Sequence, residues 1–261
     1  RSTAVSAHGA RPTTPTNSCR PCATSSADTM KNRPIVDTPT RWHVFEDAEA
    51  VAAQAAQRIL RAAALAIGER GRFRLVQAGG RTPEAAYRML VDADTDWSRW
   101  EIYFGDERCL PADHAERNSL MAERAWLDSV AIPADNLHPI PVELGAEAAA
   151  EAYRTVVNDA LPFDLVLLGI GEDGHTASLF PGQQHRADEL VHAVHNAPKA
   201  PPDRVSLSAR ALSEAREVLV LATGAAKQAA IRGWRSGEQL PIATIGQPAC
   251  IDVLLDRAAQ A

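Results

Sequence analysis

The sequence predicts an α/β fold, a Rossmann-like three-layer sandwich in which a mainly parallel, twisted sheet carries helices on both faces. Residues 164–170 contain Leu, Val, Leu, Leu and Ile without alternating polar side chains, which is typical of a parallel strand buried on both faces. Strand-like and helix-like segments also alternate along the chain, and repeated β-α alternation favours a parallel sheet. Ligands of such sheets bind just beyond the carboxyl ends of the strands.

The individual elements follow from local sequence patterns. A short apolar run after Arg41 predicts the first strand, and an alanine-rich run predicts a helix over 48–66. Thr82 suits a helix N-cap and Pro83 the first helical turn. Further strands are predicted at 73–78, 100–104, 164–170, 204–207, 217–222, 241–245 and 250–255. Further helices are predicted at 118–128 and 146–159 and around Lys227.

The chain is expected to divide into a leader and one folded domain. Residues 1–34 are rich in Ser, Thr, Pro and Ala and poor in apolar side chains, so they are predicted to be disordered. Met30 is interpreted as a translation start, which would make residues 1–29 dispensable. Residues 41–261 are predicted to form a single α/β domain.

Composition narrows the classes of partner. The 261 residues are 46% hydrophobic and carry a net charge of −6, so no global positive field attracts nucleic acid or an anionic membrane. No apolar run approaches the ~20 residues that cross a bilayer. We expect a cytoplasmic protein, a monomer or weak dimer, with a small-molecule partner and with no nucleic-acid or membrane partner.

Cysteine and histidine spacing predicts no metal site. Cys19 and Cys22 have redox or zinc spacing, but no second pair completes a zinc site. His185, His192 and His195 are joined by no carboxylate or cysteine at ligand spacing and are interpreted as surface histidines.

A glycine-rich segment, Gly169-Ile-Gly171-Glu-Asp-Gly174, follows the apolar strand and indicates a ligand-binding site. It satisfies the dinucleotide fingerprint, but no acidic residue ends a strand roughly 20 residues later, as that site requires. The glycines would let a ligand lie against the main chain, at Gly171 in particular. A glycine-rich connection with a structural histidine remains the alternative.

A second glycine turn has the features of a phosphate site. Gly79-Gly80-Arg81-Thr82 offers backbone N–H donors, a hydroxyl and a helix N-terminus, which together suit a phosphate monoester. Arg204 begins a strand and Lys227 follows the Thr223-Gly224 turn, so both could reach a phosphate. Either cation could equally be a solvated surface residue.

His175 is the candidate general base. We expect it near the start of a helix, whose positive end disfavours imidazolium, with Asp173 orienting the ring. Asp106-Glu107-Arg108 places three charges directly after an apolar strand, for ligand binding or for an internal salt bridge. One neutral base beside cations suits attack of water on an electrophilic carbonyl.

Five segments together resemble the 6-phosphogluconolactonases: AGGRTPEAAY (78–87), YFGDERCLPADHAERN (103–118), GIGEDGHTASLFPG (169–182), RVSLS (204–208) and ATGAAKQAAI (222–231). The resemblance implies hydrolysis of 6-phospho-D-glucono-1,5-lactone to 6-phospho-D-gluconate in the oxidative pentose phosphate pathway, without metal or cofactor. It implies that His175 is the base and that Arg108 faces the lactone. The 6-phosphate would be held by the Gly79-Gly80 turn, Thr82, Arg204 and Lys227, with Asp106 and Gly171 at the same site.

Two alternatives and three departures accompany this resemblance. Arg81, Ala115 and Arg117 replace the Ser, Pro and Ser that are usual at these positions. A glucosamine-6-phosphate deaminase of this fold would carry a carboxylate five residues after the histidine, where this chain has Phe180. A sugar-phosphate-sensing domain would also share the fold. The sequence shows no helix-turn-helix segment or basic face to support it.

Overall fold

A computed structural model of the protein describes residues 40–246 and 251–261. The predicted leader (1–34), the Cys19 and Cys22 pair and Met30 lie outside the described residues.

The described residues contain two sheets. Their strands are β1 (Thr40–Phe45), β2 (Phe73–Gln77), β3 (Trp100–Phe104), β4 (Asp106–Arg108), β5 (Leu137–His138), β6 (Phe163–Gly169), β7 (Val191–Val194), β8 (Arg204–Leu207), β9 (Ala215–Ala222) and β10 (Ile251–Asp256). The larger sheet has the order β1-β10-β9-β6-β2-β3-β5, and every neighbouring pair in it is parallel. The smaller sheet has the order β4-β8-β7 and is antiparallel.

The described residues contain six α-helices. They are α1 (Ala48–Arg70), α2 (Arg81–Arg88), α3 (Asn118–Ala125), α4 (Ala146–Ala160), α5 (Ala209–Ser213) and α6 (Gln228–Arg235). The side chain of Asp47 caps α1 by accepting from the backbone N–H of Ala50. None of the helices in 40–246 and 251–261 is long and apolar enough to cross a membrane.

The central strand β6 is buried on both faces of the sheet, so other elements must pack on each face. Residues 163–168 are buried without interruption, although successive side chains of a strand point to opposite faces. On one side α1 packs against β2, β6, β9 and β10. From α4, the hydroxyl of Tyr153 reaches the backbone of Phe104 at the end of β3. The predicted three-layer α/β fold is confirmed.

The order of the strands creates a crevice between β2 and β6. These two strands are neighbours, but the chain continues from β2 towards β3 and β5 on one side and from β6 towards β9 and β10 on the other. The connections therefore diverge at the carboxyl ends of β2 and β6. Ligands of open α/β sheets bind at such a reversal of strand order.

Two predicted features of the sheet are wrong. Residues 241–245 do not form a strand, because Pro241 lacks the N–H of a sheet ladder and instead starts a 3₁₀ turn, Pro241–Thr244. The strand at 204–207 exists, but it belongs to the smaller antiparallel sheet rather than to the main one. That second sheet, with β4 and β7, was not predicted.

Candidate active site

A cleft of about 330 Å³ opens at the carboxyl ends of β2, β3 and β6. Most of the residues predicted for the site line it, namely Gly79, Gly80, Asp106, Arg108, Gly171, His175, Arg204 and Lys227. Arg81, Thr82 and Asp173 are not part of its lining. The structure therefore brings together residues that lie as much as 148 positions apart in the sequence, from Gly79 to Lys227.

Two buried tyrosines hold the strand ends that form the floor of the cleft. The hydroxyl of Tyr87 accepts from the backbone N–H of Ala78 and donates to its carbonyl, both at 3.0 Å. The hydroxyl of Tyr153 accepts from the N–H of Phe104 at 2.9 Å. Ala78 and Phe104 directly precede Gly79 and the Gly105-Asp106 pair. The backbone groups of Ala78 and Phe104 thus form hydrogen bonds with tyrosine side chains at the strand ends, and these bonds fix the start of each loop.

His175 lies in a compact loop after β6, not at a helix start as predicted. Gly174 has φ +80° and Ala177 has φ +46°, and a helix cannot continue through residues in this left-handed region. The hydroxyl of Thr176 donates to the carbonyl of Gly169 at 2.9 Å, and the N–H of Gly171 donates to the carbonyl of His175 at 2.7 Å. Turns and hydrogen bonds, rather than a helix, therefore position the imidazole.

The ionisation of His175 is governed by burial and by Asp173. Nδ1 of His175 donates a hydrogen bond to Oδ1 of Asp173, which leaves Nε2 as the basic nitrogen. Burial lowers the pKa of His175 below its ordinary 6.5; the carboxylate of Asp173 opposes this shift, and the cation of Lys199 adds to it. The same pairing lowers the pKa of Asp173, although burial alone would raise it. The imidazole is therefore neutral at pH 7, for a reason other than the predicted helix dipole.

Gly171 makes room for this pair. A Cβ at Gly171 would lie 2.0 Å from Nδ1 of His175 and 2.6 Å from Oδ1 of Asp173. The imidazole thus occupies the space that the second glycine of a dinucleotide fingerprint keeps open for a pyrophosphate. In this chain the glycine pattern serves the histidine.

The three charges of β4 face two different environments. In the antiparallel pairing of β4 with β8, Asp106 lies opposite Ser206, Glu107 opposite Val205 and Arg108 opposite Arg204. Because successive side chains alternate between faces, Asp106 and Arg108 share one face and Glu107 points to the other. Asp106 and Arg108 line the cleft, whereas Glu107 does not.

Glu107 has the internal role that was considered for the whole triplet. Its carboxylate is 1% exposed and accepts from the backbone N–H groups of Asn118 and Ser119, each at 2.8 Å, at the start of α3. It also lies 3.1 Å from Nε of Arg117, which reaches Glu143 at 2.8 Å. Arg117, one of the three departures from the family pattern, is therefore a structural partner of Glu107.

Arg204 is a buried cation that both lines the cleft and holds the loop before β8. It is 4% exposed, and its Nε and Nη2 donate to the backbone carbonyls of Lys199, Ala200 and Pro201 at 2.9 to 3.1 Å. Burial lowers the pKa of Arg204, and the charge of Arg108 lowers it further. Two like charges directly opposite each other in a sheet destabilise it, so the pair favours an anion between them.

Asp106 offsets part of this positive charge. It is 8% exposed, accepts from the hydroxyl of Ser178 at 2.6 Å and from the amide of Asn118 at 3.2 Å. The amide oxygen of Asn118 lies 2.0 Å from where a Cβ of Gly79 would be. A side chain at position 79 would therefore have to displace the amide of Asn118 at the start of α3.

Two further cations, Lys199 and Arg81, lie near Lys227, which lines the cleft. Burial lowers the pKa of Lys227, and the nearby charges of Lys199 and Arg81 lower it further, although Glu172 opposes them. Thr82 Oγ1 lies 2.7 Å from Thr223 Oγ1, and this contact joins the first turn of α2 to the loop after β9.

Arg81, which replaces the serine that is usual at its position, lies outside the cleft. It is exposed and starts α2. Its charge acts on Lys227 from outside the lining of the cleft.

The polar side chains of the cleft that sequence reasoning missed are those of Gln77, Asn118, Thr176 and Lys199. Lys199 begins the segment Lys-Ala-Pro-Pro-Asp (199–203), whose composition indicates only an exposed loop. Its placement depends on Arg204, which holds the carbonyls of that loop. No local pattern contains that contact.

The other histidines are only partly as predicted. His192 is 4% exposed, forms a hydrogen bond with Glu189 at 3.0 Å and stacks on His185 at 4.4 Å, so its interpretation as a surface residue is wrong. His195 is exposed and bridges Glu147 and Asp203. In the parts of the chain that the structure describes, no group of three or more His, Cys, Asp or Glu residues could hold a metal ion.

Comparisons with known families and with related proteins point to the same family. Residues 46–255 match the family described as glucosamine-6-phosphate isomerases/6-phosphogluconolactonase. A 6-phosphogluconolactonase of Streptomyces coelicolor is 37% identical over 246 residues, which cover 85% of this chain and 94% of that protein. A rice relative that is named as a probable chloroplastic 6-phosphogluconolactonase is 33% identical over 229 residues, covering 78% of this chain and 70% of its own length.

Solved structures agree with the sequence relatives. The 6-phosphogluconolactonase of Thermotoga maritima has a TM-score of 0.78 and 28% identity, with 84% of this chain and 100% of that chain covered. The 6-phosphogluconolactonase of Trypanosoma brucei has a TM-score of 0.77 and 28% identity, with 85% of this chain and 98% of that chain covered. A monomeric glucosamine-6-phosphate deaminase, at 20% identity and a TM-score of 0.72, shares the fold.

Proposed function

The chain belongs to the glucosamine-6-phosphate isomerase/6-phosphogluconolactonase family, and we propose that it hydrolyses 6-phospho-D-glucono-1,5-lactone to 6-phospho-D-gluconate in the pentose phosphate pathway. The family contains two chemistries, so membership alone does not choose between them. The relatives that are named 6-phosphogluconolactonases favour lactone hydrolysis.

The observation that carries this choice is the environment of Phe180. This ring is 2% exposed, its centroid lies 4.7 Å from that of His175, and the guanidinium carbon of Arg204 lies 5.5 Å from it. A deaminase would place a carboxylate at this position to assist ring opening and amine chemistry. An apolar ring cannot transfer a proton, whereas hydrolysis of a lactone needs none from this side.

His175 acts as the general base in this proposal. Nε2 takes a proton from a water molecule while the water oxygen attacks the lactone carbonyl carbon, and a tetrahedral intermediate forms. The bond from that carbon to the ring oxygen then breaks, and the imidazolium returns the proton to the leaving oxygen. Asp173 holds the Nδ1 proton and so keeps Nε2 basic.

The cations and loop groups bind and orient the substrate. Arg204, Lys227, Thr82 and the N–H groups of the Gly79-Gly80 turn hold the 6-phosphate, a dianion that suits the crowded positive charges there. Arg108 faces the lactone, while Asp106 and Gly171 shape the wall next to it. Support comes from the lowered pKa values of Lys227 and Arg204, because burial and neighbouring cations leave both short of negative charge.

The remaining predictions belong to the same proposal. Residues 41–261 work as a single lactonase domain without metal or cofactor, in the cytoplasm, as a monomer or weak dimer. Size-exclusion chromatography with light scattering tests the assembly, and unchanged rates in a chelator test the independence from metal. The name of the rice relative places that protein in the chloroplast, so localisation is a separate question for each family member.

A direct assay tests the function. Freshly prepared 6-phosphogluconolactone is followed spectrophotometrically with the purified protein, and spontaneous hydrolysis is subtracted. We expect multiple turnovers per protein molecule, and no ammonia from glucosamine 6-phosphate. Ammonia release would establish the deaminase chemistry, and tight binding of 6-phosphogluconate without any turnover would establish a sugar-phosphate-sensing domain.

A further inference from the structure

Gln77 lies on the floor of the cleft with half of its side-chain amide unused. It is the last residue of β2, lines the cleft and is 2% exposed. Its Oε1 accepts from the indole N–H of Trp126 at 3.0 Å, whereas its Nε2 has no hydrogen-bond partner among the described residues. A buried amide donor without a partner is destabilising, because it loses its bonds to water on folding.

The contact with Trp126 identifies the free atom as a donor. An indole nitrogen can only donate, so the atom of Gln77 that faces it must be the oxygen. The NH₂ group is therefore the end left over. Trp126 is itself held by aromatic neighbours, with ring centroids 5.8 Å from Tyr87 and 6.0 Å from Trp100. The amide is thus oriented before any ligand arrives.

A purely structural role accounts for only half of this side chain. An acceptor for Trp126 is needed, and Oε1 supplies it, but nothing in the described fold uses Nε2. The residue also lines the same cleft as Asp106 and His175. The backbone carbonyl of Gln77 accepts from the N–H of Gly105, the residue before Asp106, and its strand neighbours β6, which leads to His175.

We infer that Gln77 is a specificity-determining residue whose Nε2 donates a hydrogen bond to one hydroxyl of the sugar-lactone ring. The inference rests on the proposed lactonase function and adds to it a contact with the sugar between the phosphate and the reacting carbonyl. A buried donor that is satisfied only by a substrate hydroxyl discriminates against sugars that lack that hydroxyl, because they leave the donor unpaired.

A cycle of enzyme variants and substrates tests this contact. Gln77→Met keeps the length of the side chain but removes both the Nε2 donor and the acceptor for Trp126, and the substrates are the full lactone and its 2-, 3- and 4-deoxy forms. For the wild-type protein we expect kcat/KM to fall about tenfold on one of the three deoxy lactones, the usual worth of about one hydrogen bond. Gln77→Met should lose a similar factor on the full lactone and nothing more on that one deoxy form.

Controls separate substrate recognition from structure. Gln183→Met makes the same chemical change outside the cleft and should leave all four rates unchanged. If Gln77 is merely structural, Gln77→Met should lower kcat/KM by the same factor on all four substrates. That result would overturn the inference, and so would a wild-type protein that loses the same factor on each of the three deoxy lactones. If the wild-type protein hydrolyses none of the lactones, the proposed function itself fails.

A crystal structure of the wild-type protein with bound 6-phosphogluconate provides a second test, which does not depend on the folding of a variant. Nε2 of Gln77 should lie within about 3.2 Å of a hydroxyl oxygen of the bound sugar acid. A bound product with no oxygen near Nε2 would contradict the inference even if the lactonase assay succeeds.

Discussion

A methyl group on Gly171 would lie 2.0 Å from Nδ1 of His175, closer than two non-bonded heavy atoms can approach. The same methyl group would lie 2.6 Å from the carboxylate of Asp173. The glycine is therefore a steric requirement of the hydrogen-bonded pair, and any larger residue at position 171 must displace the imidazole.

Gly171→Ala should lower kcat strongly while the protein stays folded, because the imidazole must move away from its present position. Displacement of a positioned catalytic group by about 1 Å costs roughly 10²-fold. Steady-state kinetics and circular dichroism measure the two effects. Gly68→Ala is the matched control, since its Cβ in α1 meets no atom within 4 Å, and it should keep full activity and gain about 0.5–1 kcal/mol of stability.

The pH dependence of activity should reflect the lowered pKa of His175. The base works only when neutral, so kcat/KM should stay level as the pH falls through 6.5 and then decrease through a single ionisation at lower pH. Lys199→Gln removes a cation that disfavours imidazolium and should move this decrease to higher pH. A decrease centred at or above pH 6.5 in the wild-type protein would be inconsistent with a buried base.

The two phosphate-binding cations should differ in their effect on stability. Lys227→Ala should raise KM with little change in kcat or in melting temperature, because uniform binding is lost. Arg204→Ala should raise KM and also lower the melting temperature, since the carbonyls of Lys199, Ala200 and Pro201 lose their donor. Kinetics and differential scanning calorimetry test the pair, and equal melting temperatures for both variants would argue against the structural duty of Arg204.

Glu107 should matter for stability rather than for chemistry. Glu107→Ala removes the acceptor for the first N–H groups of α3 and one partner of buried Arg117, and breaking such a pair costs about 3–5 kcal/mol. Glu107→Gln keeps an acceptor and should lose less. Urea unfolding gives the free energies, and the folded variants should retain the KM of the wild-type protein. A large rise of KM without loss of stability would move Glu107 into the site.

The main sheet could be predicted because its strands are apolar runs bounded by glycine, as 164–170 and 73–78 illustrate. The second sheet escaped prediction for a physical reason. β4 is Asp-Glu-Arg, which has low strand propensity, and it pairs with residues almost a hundred positions away. Only tertiary contacts make it a strand.

The candidate site was predicted to a similar extent. Residues that follow strand ends, such as His175 and Lys227, could be recognised from the glycines before them and from their residue type. The geometry around His175 could not, because the left-handed backbone of Ala177 has no signature in a residue that usually favours helix. Gln77 gave no signal, since its side chain is oriented by Trp126, which lies 49 positions away in the sequence. Lys199 gave none because its carbonyl is held by the side chain of Arg204, a contact that the composition of this proline-rich loop does not reveal.

The rate of 6-phosphogluconolactone hydrolysis by His175→Asn tests the central claim most directly. Asparagine keeps a polar side chain of similar size but cannot accept the proton of water, so kcat should fall by about 10²–10⁴ while KM and the melting temperature stay close to those of the wild-type protein. Spontaneous hydrolysis must be subtracted from both rates. A His175→Asn protein that hydrolyses the lactone at the wild-type rate would show that another group activates the water and would contradict the mechanism.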